Sequence, residues 1–178
     1  MIALTPTPVL HTERLTLRAP QAADWPAFRG FILSDRAAFV RPDDIDEGKA
    51  WRAFGHIIGH WVLRGWGLFV VTPRGGDTAL AGVGPWFPAG WPEAEIGWSV
   101  WDAGSEGRGI AFEAAQAVQA HVFGPLGWRT AVSYIDPANS RSRLLAQKLG
   151  CVLDAGAPFP GDHDHPVEVW RHPAGGAA

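Results

Sequence analysis

Apolar and polar residues alternate along "RLTLRAP" (Arg14 to Pro20), the period-two pattern of a half-buried strand. The period then lengthens. Trp25, Phe28, Phe31 and Ile32 recur at helical spacing behind Asp24, which is placed to cap the helix, with Pro26 inside its first turn. A second helical run, capped by Asp46 and stopped by Gly65, carries Trp51, Phe54, Ile58, Trp61 and Val62 as one apolar face. Three strands follow: "WGLFVVT" (Trp66 to Thr72), "TALAGVGPWF" (Thr78 to Phe87) and "AEIGWSVW" (Ala94 to Trp101), separated by the turns "PRGGD" and Pro88 to Pro92. Helical spacing returns with Ala111, Ala114, Ala115, Val118 and Val122, and ends at Gly124, Pro125 and Gly127. "RTAVSYI" (Arg129 to Ile135) is a strand. Asn139 caps a short helix with Leu144, Leu145 and Leu149 apolar and Gly150 as its stop; "CVLDA" and "VEVWR" are the last strands.

The predicted order is strand, two helices, three strands, helix, strand, helix, two strands. This is a mixed α/β chain with a meander in its middle. No repeat or composition shift divides it, so one domain is expected over residues 1–173, with "AGGAA" (174–178) as a loose tail.

Composition narrows the function classes. The chain has 178 residues, 47% hydrophobic, enough for a sizeable core. Lys+Arg 15 against Asp+Glu 18 leaves a net charge of -3, so no basic excess points to nucleic acid. Cys151 is the only cysteine, which rules out an internal disulfide and fits a reducing compartment. No apolar run reaches the roughly 20 residues of a membrane helix. The opening "MIALTPTPVLHTERL" lacks a basic segment followed by an apolar one, so no signal peptide, a cytoplasmic location and no membrane partner are expected.

The chemistry begins at "SEGRGIAFEAA" (Ser105 to Ala115), which spends Gly107 and Gly109 at the mouth of a helix. A helix N-terminus offers unpaired N–H groups and partial positive charge, and glycines let the backbone approach an anion closely. Arg108 adds a cation. Alone, the motif is also compatible with a plain strand-to-helix turn. It is not a Walker loop, since no G-K-[ST] follows, and Phe112 stands where a dinucleotide fingerprint needs its third glycine.

Together with "LHTERLTLRAP" and, after one further strand, "NSRSRLLAQKLGC", this motif resembles the GNAT superfamily of N-acetyltransferases. The nearest group is the Rim type, which acetylates ribosomal-protein N-termini, with its small-molecule-modifying relatives. The resemblance spans most of the chain. It implies a mostly antiparallel central sheet whose fourth and fifth strands splay apart, with about four flanking helices. It also implies acetyl-CoA as co-substrate, with no metal, and a primary amine, of a protein N-terminus or a small molecule, as acceptor. The protein would be a monomer or homodimer.

Carried over residue by residue, the resemblance assigns the pyrophosphate turn to Gly107, Arg108, Gly109, Ile110 and Ala111. It assigns the pantetheine arm to the backbone of Ser99, Val100 and Trp101, with a backbone N–H near Trp98 for the acetyl oxygen. Asn139 and Ser142 match the asparagine motif. Two departures stand out. Glu106 takes the place of the family's Gln or Arg, so its side chain is expected to turn away from the phosphates. Ala146 takes the place of the tyrosine that serves many members as proton donor. Cys151 replaces an aromatic, which reads as a packing change.

Acetyl transfer to an amine needs a proton acceptor, an oxyanion donor and a partner for the leaving thiolate. Glu95, Gly97 and Ser99 share one strand face. If that face looks into the acceptor cleft, Glu95 takes the amine proton; otherwise it is a solvated or cross-strand-paired carboxylate. Ser142 either hydrogen-bonds the sulfur or serves its own helix start, and Tyr134 is a donor or packing. Trp51, Trp61 and Trp66 either line an apolar acceptor cleft or fill the core. "GDHDHP" (Gly161 to Pro166) has half the look of a metal site, but no third ligand is evident, and a solvated loop is expected. Two other functions remain compatible with the residues: transfer of a longer acyl group, and a non-catalytic CoA-binding module.

Overall fold

The computed structural model describes residues 4–161 and 166–173. The Asp162 to His165 run and the 174–178 tail lie outside these described residues. Eight strands form one sheet in the order β1-β2-β3-β4-β5-β6-β8-β7. They are β1 (Leu10–His11), β2 (Leu15–Arg18), β3 (Phe69–Pro73), β4 (Ala81–Trp86), β5 (Glu95–Val100), β6 (Val132–Ile135), β7 (Val152–Leu153) and β8 (Glu168–Arg171). Four α-helices accompany them: α1 (Trp25–Ile32), α2 (Glu47–Arg64), α3 (Ile110–Phe123) and α4 (Ser140–Lys148). The predicted element order holds. The addition is β1, whose two residues are too short to show alternation.

All neighbouring strands are antiparallel except β5 and β6. A parallel pair needs a crossover, and α3 supplies it. The β5–β6 register consists of the single pair Glu95↔Val132. Beyond it the strands part, and the Ser133 hydroxyl donates to the Ile96 carbonyl at 2.7 Å in place of a ladder bond. This is the splay that the resemblance implies.

Alternation sorts the core into two faces. Leu15, Leu17, Phe69, Val71 and Val83 meet Ala114, Ala115, Val118 and Val122 of α3, all at 1% exposure or less. Val70, between Phe69 and Val71, points the other way, to Phe28, Phe31, Phe54 and Ile57 of α1 and α2. The small residues of α3 let it sit close to the sheet, while each buried valine contributes about 1.5–3 kcal/mol of burial.

Three readings of the helices need correcting. Asp24 does not cap α1 through its side chain. It is 2% exposed and accepts two bonds from the Arg18 guanidinium, both at 2.8 Å, and one from the Gln21 N–H. A paired guanidinium outcompetes a helix end for a buried carboxylate. The inward face of α2 is Ala50, Phe54, Ile57, His60 and Trp61, so Trp51 and Val62 are exposed; the face follows the 3.6-residue period through Ile57 rather than Ile58. In α4, Leu144 is exposed while Ala146 and Leu149 are buried. Elsewhere the caps are as expected. Asp46 accepts from Lys49 N–H, Gly65 closes α2 at φ 76°, and Asn139 Oδ1 accepts from Ser142 N–H at 3.1 Å.

Candidate active site

The glycine turn leads from β5 to α3. Gly107 and Gly109 both have positive φ, 72° and 77°. A side chain is strained there, so both glycines are required by the path of the backbone itself. No side chain caps α3, and its first-turn N–H groups have no intrahelical acceptors. The turn is braced from the sheet's far edge. Arg14 donates to the Arg108 carbonyl and, through Nε at 2.6 Å, to Glu113, which also accepts from the Thr12 hydroxyl and Arg14 N–H. The "HTER" segment is thus a clamp on α3.

A cavity of about 800 Å³ opens in front of this turn. Ser99, Val100, Gly107, Gly109, Ile110, Ala111, Asn139 and Ser142 line it together, from separate stretches of chain. Two expected residues do not join them. Arg108 is exposed and outside the lining. Trp101 is 3% exposed, donates its N–H to Leu80 O and packs edge-on to Phe28. Its indole N–H reaches the Ser99 hydroxyl at 2.9 Å, so it fixes Ser99 from behind.

Glu106 also lines this cavity, between two guanidinium groups: Arg36 Nε at 2.6 Å and Arg141 at 2.7 Å. The Arg36 hydrogen bond, followed by the charges of both arginines, holds the Glu106 carboxyl below its usual range. Arg36 further donates to the carbonyls of Val100 and Trp101, at 2.8 and 2.9 Å. It joins the end of β5 to the turn. Arg36 belongs to no sequence motif, and only the folded loop after α1 brings it here.

A second cavity of about 380 Å³ lies between β5, β6 and the α1–α2 side. Glu95, Gly97 and Ser99 all line it, as do Ile96 and Trp98 of the same strand and Tyr134. Trp98, Ser99, Asn139 and Ser142 line both cavities, so the two meet there. At that junction Trp98 Nε1 donates to Ser142 Oγ at 3.2 Å. Glu95 accepts from Trp91 Nε1 at 2.8 Å. Burial of the carboxyl raises its pKa to about 7, against the lowering effect of the indole N–H and of a Tyr134 backbone hydrogen bond. The Tyr134 hydroxyl accepts from Glu93 N–H, and burial pushes it up to about 12, so it stays protonated. The tryptophans of this wall are Trp86, Trp91 and Trp98. Trp61 fills the core, Trp51 is exposed, and Trp66 packs on Trp128 and His60.

Residues 14–152 match the model of the acetyltransferase (GNAT) domain. The chain belongs to the GNAT acetyltransferase family. It is similar to an acetyltransferase from Agrobacterium tumefaciens, at 36% identity and TM-score 0.85 over 93% of this chain and 94% of that one. Its fold is shared by a putative ribosomal-protein-serine acetyltransferase from Vibrio cholerae, at 23% identity and TM-score 0.73 over 95% and 99% of the chains. It is shared too by a ribosomal L7/L12 alpha-N-protein acetyltransferase in complex with coenzyme A, at 20% identity and TM-score 0.70 over 93% and 97%. As a GNAT acetyltransferase the chain is an acyl-transferring enzyme, and its large cavity with an uncapped helix start and two left-handed glycines suits the coenzyme of that family. Among the described residues no cluster of metal-ligating side chains occurs, and no helix is long and apolar enough to cross a membrane.

Proposed function

We propose that the chain is an acetyl-CoA-dependent N-acetyltransferase that acts on a primary amine by direct attack in a ternary complex. The observation that carries this reading is the meeting of two cavities at Trp98, Ser99, Asn139 and Ser142, with Glu95 on the smaller side. One cavity, of about 800 Å³, has the uncapped helix start and left-handed glycines that suit a pyrophosphate; the other has a carboxylate poised near neutrality.

An amine is largely protonated at neutral pH and must lose a proton before it attacks. Glu95 takes that proton. The neutral nitrogen attacks the thioester carbonyl carbon, and the developing oxyanion is steadied by a backbone N–H of β5 near Trp98. The N–C bond forms, the C–S bond breaks, and the nitrogen's second proton leaves with the sulfur as free thiol. Ser142 serves the sulfur. Its oxygen already accepts from Trp98, so its own O–H remains to be donated. That arrangement substitutes for the family tyrosine whose place Ala146 takes.

The decisive experiment is thiol release from acetyl-CoA with a panel of amines, followed by product mass. Initial rates at varied concentrations of both substrates should give intersecting lines. Parallel lines would indicate an acetylated enzyme, and no release with any amine or peptide would remove the acetyl-transfer reading.

A further inference from the structure

We infer that the acceptor is a primary amine carried on an aromatic or bulky apolar body and lacking a carboxylate beside the amine. This rests on the proposed N-acetyltransferase reading and concerns the smaller cavity alone.

The walls of that cavity are aromatic and fixed. Trp86 lies parallel to the His60 ring, centroids 4.6 Å apart and planes at 17°. His60 is itself held at both nitrogens: Nδ1 lies 2.9 Å from Trp66 O and Nε2 accepts from Phe87 N–H at 3.0 Å. That pairing makes Nδ1 the protonated nitrogen and leaves the ring neutral, which agrees with the downward push that burial gives it. A neutral, doubly bonded ring behind Trp86 makes the indole a rigid face rather than a movable flap. On another wall, Trp91 is tied to Glu95 by its indole N–H. An aromatic body that stacks on Trp86 therefore has its amine presented to a carboxylate and to a second indole, both favourable to an ammonium as it arrives.

The charge of the cavity carries the second half of the inference. Glu95 and Asp136 are its acidic lining residues, the exposed His56 ring also lines it, and among the described residues no lysine or arginine does. Arg171 is near enough to Tyr134 to influence that residue's ionisation, but both of its terminal nitrogens are engaged by Glu93, at 2.8 and 2.9 Å, and its Nε by Asp154. A substrate carboxylate next to the amine would stand beside the Glu95 carboxyl with no lysine or arginine to pair it, a poorly compensated charge of the kind interiors disfavour. Gly97 strengthens the geometry. A Cβ there would stand 3.6 Å from Glu95 Oε1, so its absence leaves the carboxylate open toward the cavity.

Four probes on the whole protein test this: 2-phenylethylamine, phenylalanine, ethylamine and a tetrapeptide with a free N-terminal alanine. Thiol release should give a kcat/KM for 2-phenylethylamine at least about a hundredfold above phenylalanine and about tenfold above ethylamine, as expected for an unpaired charge and for lost aromatic area. Trp86→Ala should raise KM for 2-phenylethylamine about tenfold more than it raises KM for ethylamine. Calorimetric titration of the protein saturated with CoA should rank binding in the same order. Preference for phenylalanine, or a tetrapeptide that outperforms 2-phenylethylamine, would overturn the inference while leaving N-acetyl transfer standing. Ranked binding without thiol release from any probe would keep the inference about the cavity and overturn the transfer reading instead.

Discussion

Trp98 donates its indole N–H to the Ser142 hydroxyl at 3.2 Å, where the two cavities join. The bond ties β5 to the first turn of α4 and determines which way the serine proton points. With one lone pair occupied by the indole, the hydroxyl hydrogen is available to an acceptor in the cavity. Ser142→Ala should lower kcat about tenfold to a hundredfold, the range of a hydrogen bond to a charged group, with KM for acetyl-CoA changed less than about threefold. Trp98→Phe should lower kcat by a smaller factor, because the serine keeps its donor and loses only its orientation. Steady-state kinetics of both variants check this; parental turnover in Ser142→Ala would reduce the residue to a helix-start serine.

Glu95 titrates near 7 in the folded protein against an ordinary value of 4.5. Only the carboxylate accepts a proton, so kcat/KM should fall below about pH 7 with a slope of one proton. Glu95→Gln should abolish that limb, slow the reaction at neutral pH and recover in part at alkaline pH, where free amine is abundant. Stability should move the opposite way. The raised pKa means the native state holds the proton more tightly than the unfolded chain does. That contribution is complete below about 4.5 and is lost as pH rises through about 7. Glu95→Gln should therefore have a higher Tm than the parent at about pH 8 and a similar one at about pH 4, measurable by scanning calorimetry.

Gly109 sits at φ 77°, and a Cβ at this position would stand 3.5 Å from Arg14 Nη2. Gly109→Val should weaken CoA binding about tenfold or more and cost about 1–2 kcal/mol of stability from the left-handed backbone alone. Arg108→Ala should weaken binding less than about threefold, since Arg108 is exposed and stands outside the cavity lining. Calorimetric titration with CoA, on variants shown folded by circular dichroism, gives the ranking. The reverse order would mean side-chain charge, not backbone N–H groups, holds the phosphates.

Glu106 neutralises Arg36 and Arg141 at the rim of the larger cavity. Glu106→Gln keeps the shape and removes the negative charge that neutralises both guanidinium groups beside the cavity, while Arg36 keeps its bonds to the Val100 and Trp101 carbonyls. CoA should bind about threefold to tenfold more tightly, and the affinity should depend more steeply on salt than in the parent. Unchanged affinity at low ionic strength would show that the two arginines do not face the ligand.

Ser133, His172 and Cys151 are buried behind the splay, where the half-buried Gln119 meets them. Gln119 Nε2 donates to His172 Nδ1 at 2.8 Å, His172 Nε2 lies 2.9 Å from Ser133 Oγ, and Cys151 Sγ is 3.3 Å from Nδ1. Burial depresses His172 to about 4. Its folded value lies below the ordinary 6.5, so its contribution to stability is complete above about 6.5 and is lost as pH falls through about 4. His172→Gln should flatten the dependence of Tm on pH between 6.5 and about 4 relative to the parent. An equally steep curve in the variant would assign acid lability to other groups, such as His60 and His121, which burial also depresses.

The order of elements, most caps and stops, the two glycines and the face of β5 that carries Glu95 were legible in the sequence. Each depends on neighbours a few residues away: alternation, helical spacing, a left-handed turn that only glycine tolerates. Glu106 illustrates the limit. Local chemistry says that a carboxylate should avoid phosphates, but not that Arg36 and Arg141, 70 and 35 residues distant, would hold it. Asp24 is the same case reversed, a residue with the look of a cap that a buried guanidinium claims instead. Which tryptophans form the acceptor wall was equally undecided, because indoles at helical or strand spacing pack or line a cleft according to what lies opposite. Spacing along the chain determined the elements and the turn. Contacts between distant segments decided the cavities, the pairing of charges and the desolvation that brings Glu95 to about 7, because burial and Coulomb interaction depend on distance in space rather than on distance along the sequence.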